Sequence, residues 1–309
     1  MKEYVVKTSE EGQRLDKYLG RILNNAPTSF VYKMLRKKNI KLNDAKATGS
    51  EKLCSGDIIK IYLSDETFST FANQKEIDIT EYEKAYNQLK EITVVYEDDD
   101  IVVLNKPSNV LSQKSDTKDI SVNEYLIGYL LNKGVVTPTS LNSFKPSVLN
   151  RLDRNTRGLI ICSKSLLGSS EISLMIKNRT IKKYYKATCM GIIDKPILLH
   201  DYLVKDEKTN KVSIIKSNIP GSHEIKTFVI PVEKYDDRTI VEIELITGKS
   251  HQIRAHLASI NHPILGDYKY GNRNFNERYK VNEQDLCSYK LVFPSNCKIQ
   301  KWNNLIISL

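Results

Sequence analysis

Apolar residues near the start of the chain recur at helical spacing and then give way to alternation. Leu15, Tyr18, Leu19, Ile22 and Leu23 form one stripe on a helix that begins after Gly12. A second helix is predicted over 29–38, with Ser29 as its N-cap and Val31, Met34 and Leu35 facing inward. Alternating runs at 40–43 and 58–63 read as short strands, the second after the turn Ser55-Gly56-Asp57. Positions 1–63 therefore form a compact helix-helix-strand unit.

The pattern changes at 64. Asp65, Glu66, Glu76, Asp78, Glu81, Glu83 and Glu91 outnumber Lys75, Lys84 and Lys90, so 64–91 reads as an acidic linker with a short helix near 82–89. Beyond it, strands are predicted at 92–96, 101–104, 158–162, 183–190, 227–232 and 239–246, and helices at 122–131, 169–177 and 250–258. No repeat or low-complexity segment interrupts 92–309. Strands and helices do not alternate regularly, so an α+β fold is expected: a mixed, mainly antiparallel sheet over 92–309 and a small N-terminal α/β unit.

Charge adds a partner class to this outline. The 309 residues carry a formal net charge of +10, and 1–63 hold roughly +6 of it. A basic excess of this size suits a polyanion such as nucleic acid. No stretch reaches the roughly 18 apolar residues that span a bilayer, and the first residues are too polar for a secretory signal, so a soluble, cytoplasmic protein is expected. The five cysteines include no C-x-x-C pair and read as reduced structural thiols.

Two segments carry candidate chemistry. Asn150-Arg151-Leu152-Asp153-Arg154-Asn155-Thr156-Arg157-Gly158 sets one acid among three arginines just before an apolar run. Such an acid is either a member of a structural salt-bridge cluster or an ionised group in an anion-binding site, and spacing alone leaves both open. The second segment, Thr247-Gly248-Lys249-Ser250-His251-Gln252-Ile253-Arg254-Ala255-His256, reads as a turn into a helix, followed by Gly266-Asp267 and Tyr270-Gly271. It is not a nucleotide phosphate loop, because Ile243 stands where the first glycine is required. His251 and His256 are five apart and share no helical face, so no zinc site is expected.

Taken together, these segments resemble the RluA-type family of RNA pseudouridine synthases, with motifs close to H-R-L-D-x-x-T-S-G, T-G-R-x-H-Q-I-R-x-H and G-D-x-x-Y-G. Asn105-Lys106-Pro107, Lys183-x-Tyr185-x-Ala187 and Leu291-x-Phe293-Pro294 match in the same order. The resemblance runs from about 92 to 294. Positions 1–63 resemble an S4 RNA-binding domain through Arg14-Leu15-Asp16-Lys17-Tyr18-Leu19, the basic second helix and Gly56-Asp57-Ile58-Ile59, with Asn39 and Asp44 at turn positions usually held by glycine.

The resemblance implies isomerisation of uridine to pseudouridine without cofactor or metal, in a catalytic domain over 92–309. It makes Asp153 the catalytic carboxylate, as nucleophile at the sugar or as base at C2′. Arg254 would pair with it, Tyr185 would stack on the extruded base, and Ile253 would add an apolar wall. Arg151, Arg154, Lys106 and Lys249, with Arg14, Lys33, Arg36, Lys37 and Lys38 of the S4-like unit, are the candidates for RNA contact. Large-subunit ribosomal RNA is the expected substrate, transfer RNA the alternative, and a monomer the expected state. Asn150 and Arg157 depart from the motif, which has His and Ser there. Asn150 is expected to bond to the loop backbone, and Arg157 is a further candidate for RNA phosphate.

Two rival readings fit less well. A methyltransferase would need a Gly-rich loop where Asn105-Lys106-Pro107-Ser108 stands, and a scaffold that only binds RNA would not need Asp153, Tyr185 and Arg254 together.

Overall fold

A computed structural model describes residues 1–72 and 77–309. The first two apolar stripes become helices because each has one face to bury. α1 (Leu15–Ile22) buries Leu15, Tyr18, Leu19 and Ile22, and α2 (Thr28–Arg36) buries Val31, Met34 and Leu35. They share a core with an antiparallel sheet in the spatial order β1 (Lys2–Val5), β4 (Ile58–Ile61), β2 (Ile40–Leu42), β3 (Ala45–Lys46). Two local expectations are corrected. Ser29 lies inside α2, and Pro27 takes the N-cap position, because its ring already holds the φ of −61° from which a helix can start. The left-handed residue after α2 is Lys38, not Asn39, while Asn43 and Asp44 both turn left-handed between β2 and β3, as short polar side chains allow.

The acidic segment divides between two cores. In α3 (Asp65–Phe71), Phe68 and Phe71 pack on the N-terminal core, and the Phe71 ring lies 4.3 Å from that of Phe30. In α4 (Thr80–Gln88), Tyr82 and Ala85 are buried in the larger core. Positions 73–76 of the expected linker, with Lys75 and Glu76, lie outside the described residues.

The larger sheet runs, in spatial order, β5 (Thr93–Glu97), β6 (Ile101–Lys106), β7 (Arg157–Ser163), β13 (Leu286–Val292), β8 (Lys182–Met190), β12 (Arg238–Leu245), β11 (His223–Lys234), β9 (Ile197–Asp206), β10 (Lys211–Ile215), with β14 (Ile306–Ser308) beside β13. Among the described strands, only the β7–β13 pair is parallel. The fold is α+β with a mainly antiparallel sheet, as expected. Strands β9, β10, β13 and β14 are additions to the pattern-based outline, and the strand expected at 227–232 is the middle of the longer β11.

Both faces of β6 and β7 are covered, which explains their unbroken apolar runs. Val102, Leu104, Ile160 and Cys162 face a core shared with α5 (Val122–Asn132), whereas Ile101, Val103, Leu159 and Ile161 face one shared with α6 (Leu166–Lys177), Phe293 and Trp302. Full burial of each such aliphatic side chain contributes about 1.5–3 kcal/mol. β8 and β12 instead alternate, with Tyr185, Ala187, Val241 and Ile243 inward. α6 begins earlier than predicted, because the Ser165 hydroxyl accepts from Gly168 N–H and caps it. Between β12 and β13 lie α7 (Gln252–Ser259) and α8 (Arg273–Arg278).

Candidate active site

The loop carrying Asp153 is held before any substrate arrives. Ser112 clips it at Leu152, its hydroxyl donating to the Leu152 carbonyl at 2.8 Å and accepting from Leu152 N–H at 3.0 Å. Thr156 N–H donates to the Asp153 carbonyl at 3.1 Å and closes the turn into β7. Gly158 follows at φ +115°, and a Cβ there would meet the Ser288 carbonyl oxygen at 2.1 Å, so neither the angle nor the space admits a side chain. Asn150 accepts from Ile161 N–H through Oδ1 at 2.7 Å, a backbone bond to strand β7 rather than to the loop as expected.

Lys106 is a correction. Expected as a phosphate contact, it has no exposed surface, and its ammonium donates to the carbonyls of Pro107 and Val110 at 2.8 Å and of Arg154 at 2.9 Å. It ties the loop after β6 to the Asp153 loop. Burial pulls its pKa down to about 8, against the raising influence of Asp153.

Arg254, on α7, joins two carboxylates that are far apart in sequence. Its Nη1 donates to Asp153 Oδ2 at 3.0 Å, while Nε and Nη2 form a fork onto Asp267 Oδ2 and Oδ1 at 2.7 and 3.0 Å. Asp267 is fully buried and also accepts N–H bonds from Lys269 and Tyr270. Burial pushes its pKa up, but Arg254 and these donors outweigh that and hold it below the usual carboxylate range. Burial likewise opposes the charge on Arg254, and the Asp267 and Asp153 carboxylates more than restore it. The clamp leaves the Asp153 side chain a quarter exposed and open to a ligand.

Tyr185 is buried on β8, in a core that also contains Ile253 and Leu152. Burial pushes its hydroxyl pKa up, Asp153 adds to the rise, and a hydrogen bond with Ser288 opposes it. The structure thus joins Asp153 to Arg254, sets Tyr185 within reach of the Asp153 charge, and buries Ile253 in the same core as Tyr185.

The basic candidates separate by burial. Arg151, Arg154 and Lys249 are exposed, as are Lys33, Arg36, Lys37 and Lys38 at the end of α2. Arg14 is exposed but paired with Asp16 at 2.9 Å, and Arg157 pairs with Asp285 at 3.3 Å.

Three residues at the site had no role assigned from sequence: Asp267, His251 and Tyr270. His251, which spacing excludes as a zinc ligand, has its Nε2 4.0 Å from Asp153 Oδ2 and its Nδ1 2.9 Å from Tyr270 Oη. The acid and the tyrosine of the G-D-x-x-Y-G motif were the available signal. Among the described residues no cluster of His, Cys, Asp and Glu could hold a metal ion, and no helix is long and apolar enough to cross a membrane.

Comparison with known proteins places this geometry in a family. A family model described as RNA pseudouridylate synthase matches residues 100–259, which include Asp153, Tyr185 and Arg254. The ribosomal large subunit pseudouridine synthase C of Vibrio cholerae is 30% identical over 270 residues, covering 85% of this chain and 78% of that protein. Its namesake in Haemophilus influenzae is 27% identical and covers 98% of this chain and 91% of its own. Among solved structures, human RNA pseudouridylate synthase domain containing 4 shares the fold with a TM-score of 0.57 at 18% identity, over 74% of this chain and 91% of that one. The match over half the chain and the near full-length relatives agree with the clamp on Asp153: the chain belongs to the RNA pseudouridine synthase family, and is an isomerase that acts on RNA.

Proposed function

We propose that Asp153 is the catalytic carboxylate of this enzyme, acting on a uridine extruded from large-subunit ribosomal RNA. One observation carries the reading: Arg254 is forked onto buried Asp267 and spends its remaining nitrogen on Asp153, so the guanidinium is aimed by a residue with no exposure of its own. A carboxylate so clamped stays anionic and oriented when a base excludes water from the site.

The reaction breaks the C1′–N1 bond and forms C1′–C5. C5 loses its hydrogen and N1 gains one, so no oxidant or reductant is consumed. The base must leave the helix, at a cost of a few kcal/mol, and turn before it reattaches. Tyr185 would stack on it, Ile253 would wall the pocket, and Arg151, Arg154 and Lys249 would hold the flanking phosphates. The ribosomal substrate rests on the names of the Vibrio and Haemophilus relatives.

The N-terminal unit would serve as an S4-like RNA-binding domain. Support comes from its separate core and from the exposed cations Lys33, Arg36, Lys37 and Lys38 at one helix end. Cytoplasmic location and a monomeric state rest on the sequence alone.

Tritium release from 5-tritiated uridine in a large-subunit ribosomal RNA transcript tests the reading. The wild type should release tritium, and Asp153→Ala should release none while binding RNA with unchanged affinity. Turnover by Asp153→Ala sinks the assignment. Pseudouridine mapping in a strain that lacks the gene identifies the uridine.

A further inference from the structure

Among the described residues, Arg254 and His251 approach the same oxygen of the Asp153 carboxylate. Arg254 Nη1 bonds Oδ2 at 3.0 Å, and His251 Nε2 stands 4.0 Å from that atom. The second distance is about 1 Å too long for a hydrogen bond, in the range that tightens when an active site fills.

The hydrogen-bond chain behind His251 favours a proton on one ring nitrogen over the other. Val212 N–H, on the edge strand β10, donates to Tyr270 Oη at 2.9 Å. Tyr270 Oη has one hydrogen of its own to give, and among the described residues the acceptor in reach is His251 Nδ1, also at 2.9 Å. With Nδ1 accepting, a neutral imidazole carries its proton on Nε2, the nitrogen that faces Asp153. The tyrosine is itself fixed, because its ring lies 5.1 Å from the Arg254 guanidinium carbon and its backbone N–H bonds Asp267.

We propose that His251 is a positioning residue for the reaction: as the Nε2–H tautomer selected by Tyr270, it closes on Asp153 Oδ2 beside Arg254 and leaves Oδ1 as the oxygen presented to the sugar. The inference rests on the reading of Asp153 as the catalytic carboxylate.

The surroundings keep the imidazole neutral near pH 7. Burial lowers its pKa first, Asp153 and Asp267 raise it, and Arg254 and Lys269 lower it. Protonation would place a hydrogen on Nδ1, so that nitrogen could no longer accept from Tyr270, while Nε2–H would persist toward Asp153.

Two substitutions separate positioning from bulk structure. His251→Asn keeps an acceptor at the δ position for Tyr270 and tolerates the left-handed backbone (φ 55°), but has no donor at the ε position. His251→Gln restores an N–H donor at the ε position. In the tritium-release assay, with the full chain and a large-subunit ribosomal RNA transcript, His251→Asn should lower kcat by roughly tenfold at unchanged KM and melting temperature, the loss expected of one hydrogen bond to a charged group. His251→Gln should recover much of that loss. Tyr270→Phe leaves the histidine in place while freeing its tautomer, and should lower kcat several-fold.

A His251→Asn enzyme with wild-type kcat overturns the inference. If His251→Asn fails to fold, unchanged kcat in Tyr270→Phe overturns it. Asp153→Asn tells the two levels apart: an active Asp153→Asn sinks the function itself, whereas an inactive one beside a fully active His251→Asn sinks only the role of His251.

Discussion

The Lys106 ammonium lies 2.9 Å from the Arg154 carbonyl oxygen with no exposed surface, so a lysine at the end of one strand holds the loop that leads into the next. Its three donors meet three carbonyls, and the Asp153 loop inherits their rigidity.

Lys106→Met should therefore strip partners from three carbonyls and destabilise the fold by roughly 2 kcal/mol or more at pH 7. The gap should widen with pH. Lys106 titrates at about 8 in the fold against 10.5 when free, so between those values the unfolded chain holds more protons and the wild type gains stability as pH rises. The gain relative to Lys106→Met is on the order of 3 kcal/mol by pH 10.5 and absent below pH 7. Urea unfolding of both proteins across this range checks the sign, and a gap that narrows with pH contradicts it.

Asp267→Asn should misaim Arg254. The amide keeps one acceptor for the fork and leaves the buried guanidinium balanced by Asp153 alone. Misplacement by an ångström costs about a hundredfold in rate, so kcat should fall on that scale with KM little changed. Single-turnover rates at saturating RNA would read it, and a drop confined to KM would place Asp267 in binding instead.

Gly158→Ala should be among the most damaging small substitutions in the chain. The Ser288 carbonyl oxygen lies 2.1 Å from the added methyl and the backbone sits at φ +115°, so β7 must shift away from β13 or the turn must refold. A loss of about 3 kcal/mol or more is expected. Thermal melting tests this, and a variant that melts like the wild type would refute it.

The double variant Lys37→Glu, Lys38→Glu should weaken RNA binding without touching the chemistry. Both side chains are exposed at the end of α2, far along the chain from Asp153. If each meets a phosphate, the slope of log affinity against log salt should drop by roughly 0.7–0.9 per contact, while kcat at saturating RNA holds. An unchanged slope would leave the N-terminal unit without the RNA role proposed for it.

Local pattern made α1, α2, β6 and β7 legible, because their apolar spacing reflects faces that each element buries whatever its neighbours are. β9 and β10 were not legible. Their charged residues interrupt the alternation, and their pairing with each other and with β11 is settled by register across the sheet. Cation roles were equally hidden: Lys106 and Lys249 looked alike as lysines next to turns, and only packing buries the first and exposes the second.

The sequence by itself carried the periodicity of the α+β elements and the basic excess of the N-terminal unit, and the resemblance of its motifs singled out Asp153, Tyr185 and Arg254, because periodicity and motif matches are properties of contiguous residues. Tertiary structure alone decided that Arg254 bridges Asp153 and Asp267, 101 and 13 residues away, and that His251 and Tyr270 converge on the same carboxylate. The physical reason is the range of the interactions: side-chain hydrogen bonds act over about 3 Å, and only chain folding brings residues so distant in sequence within that reach.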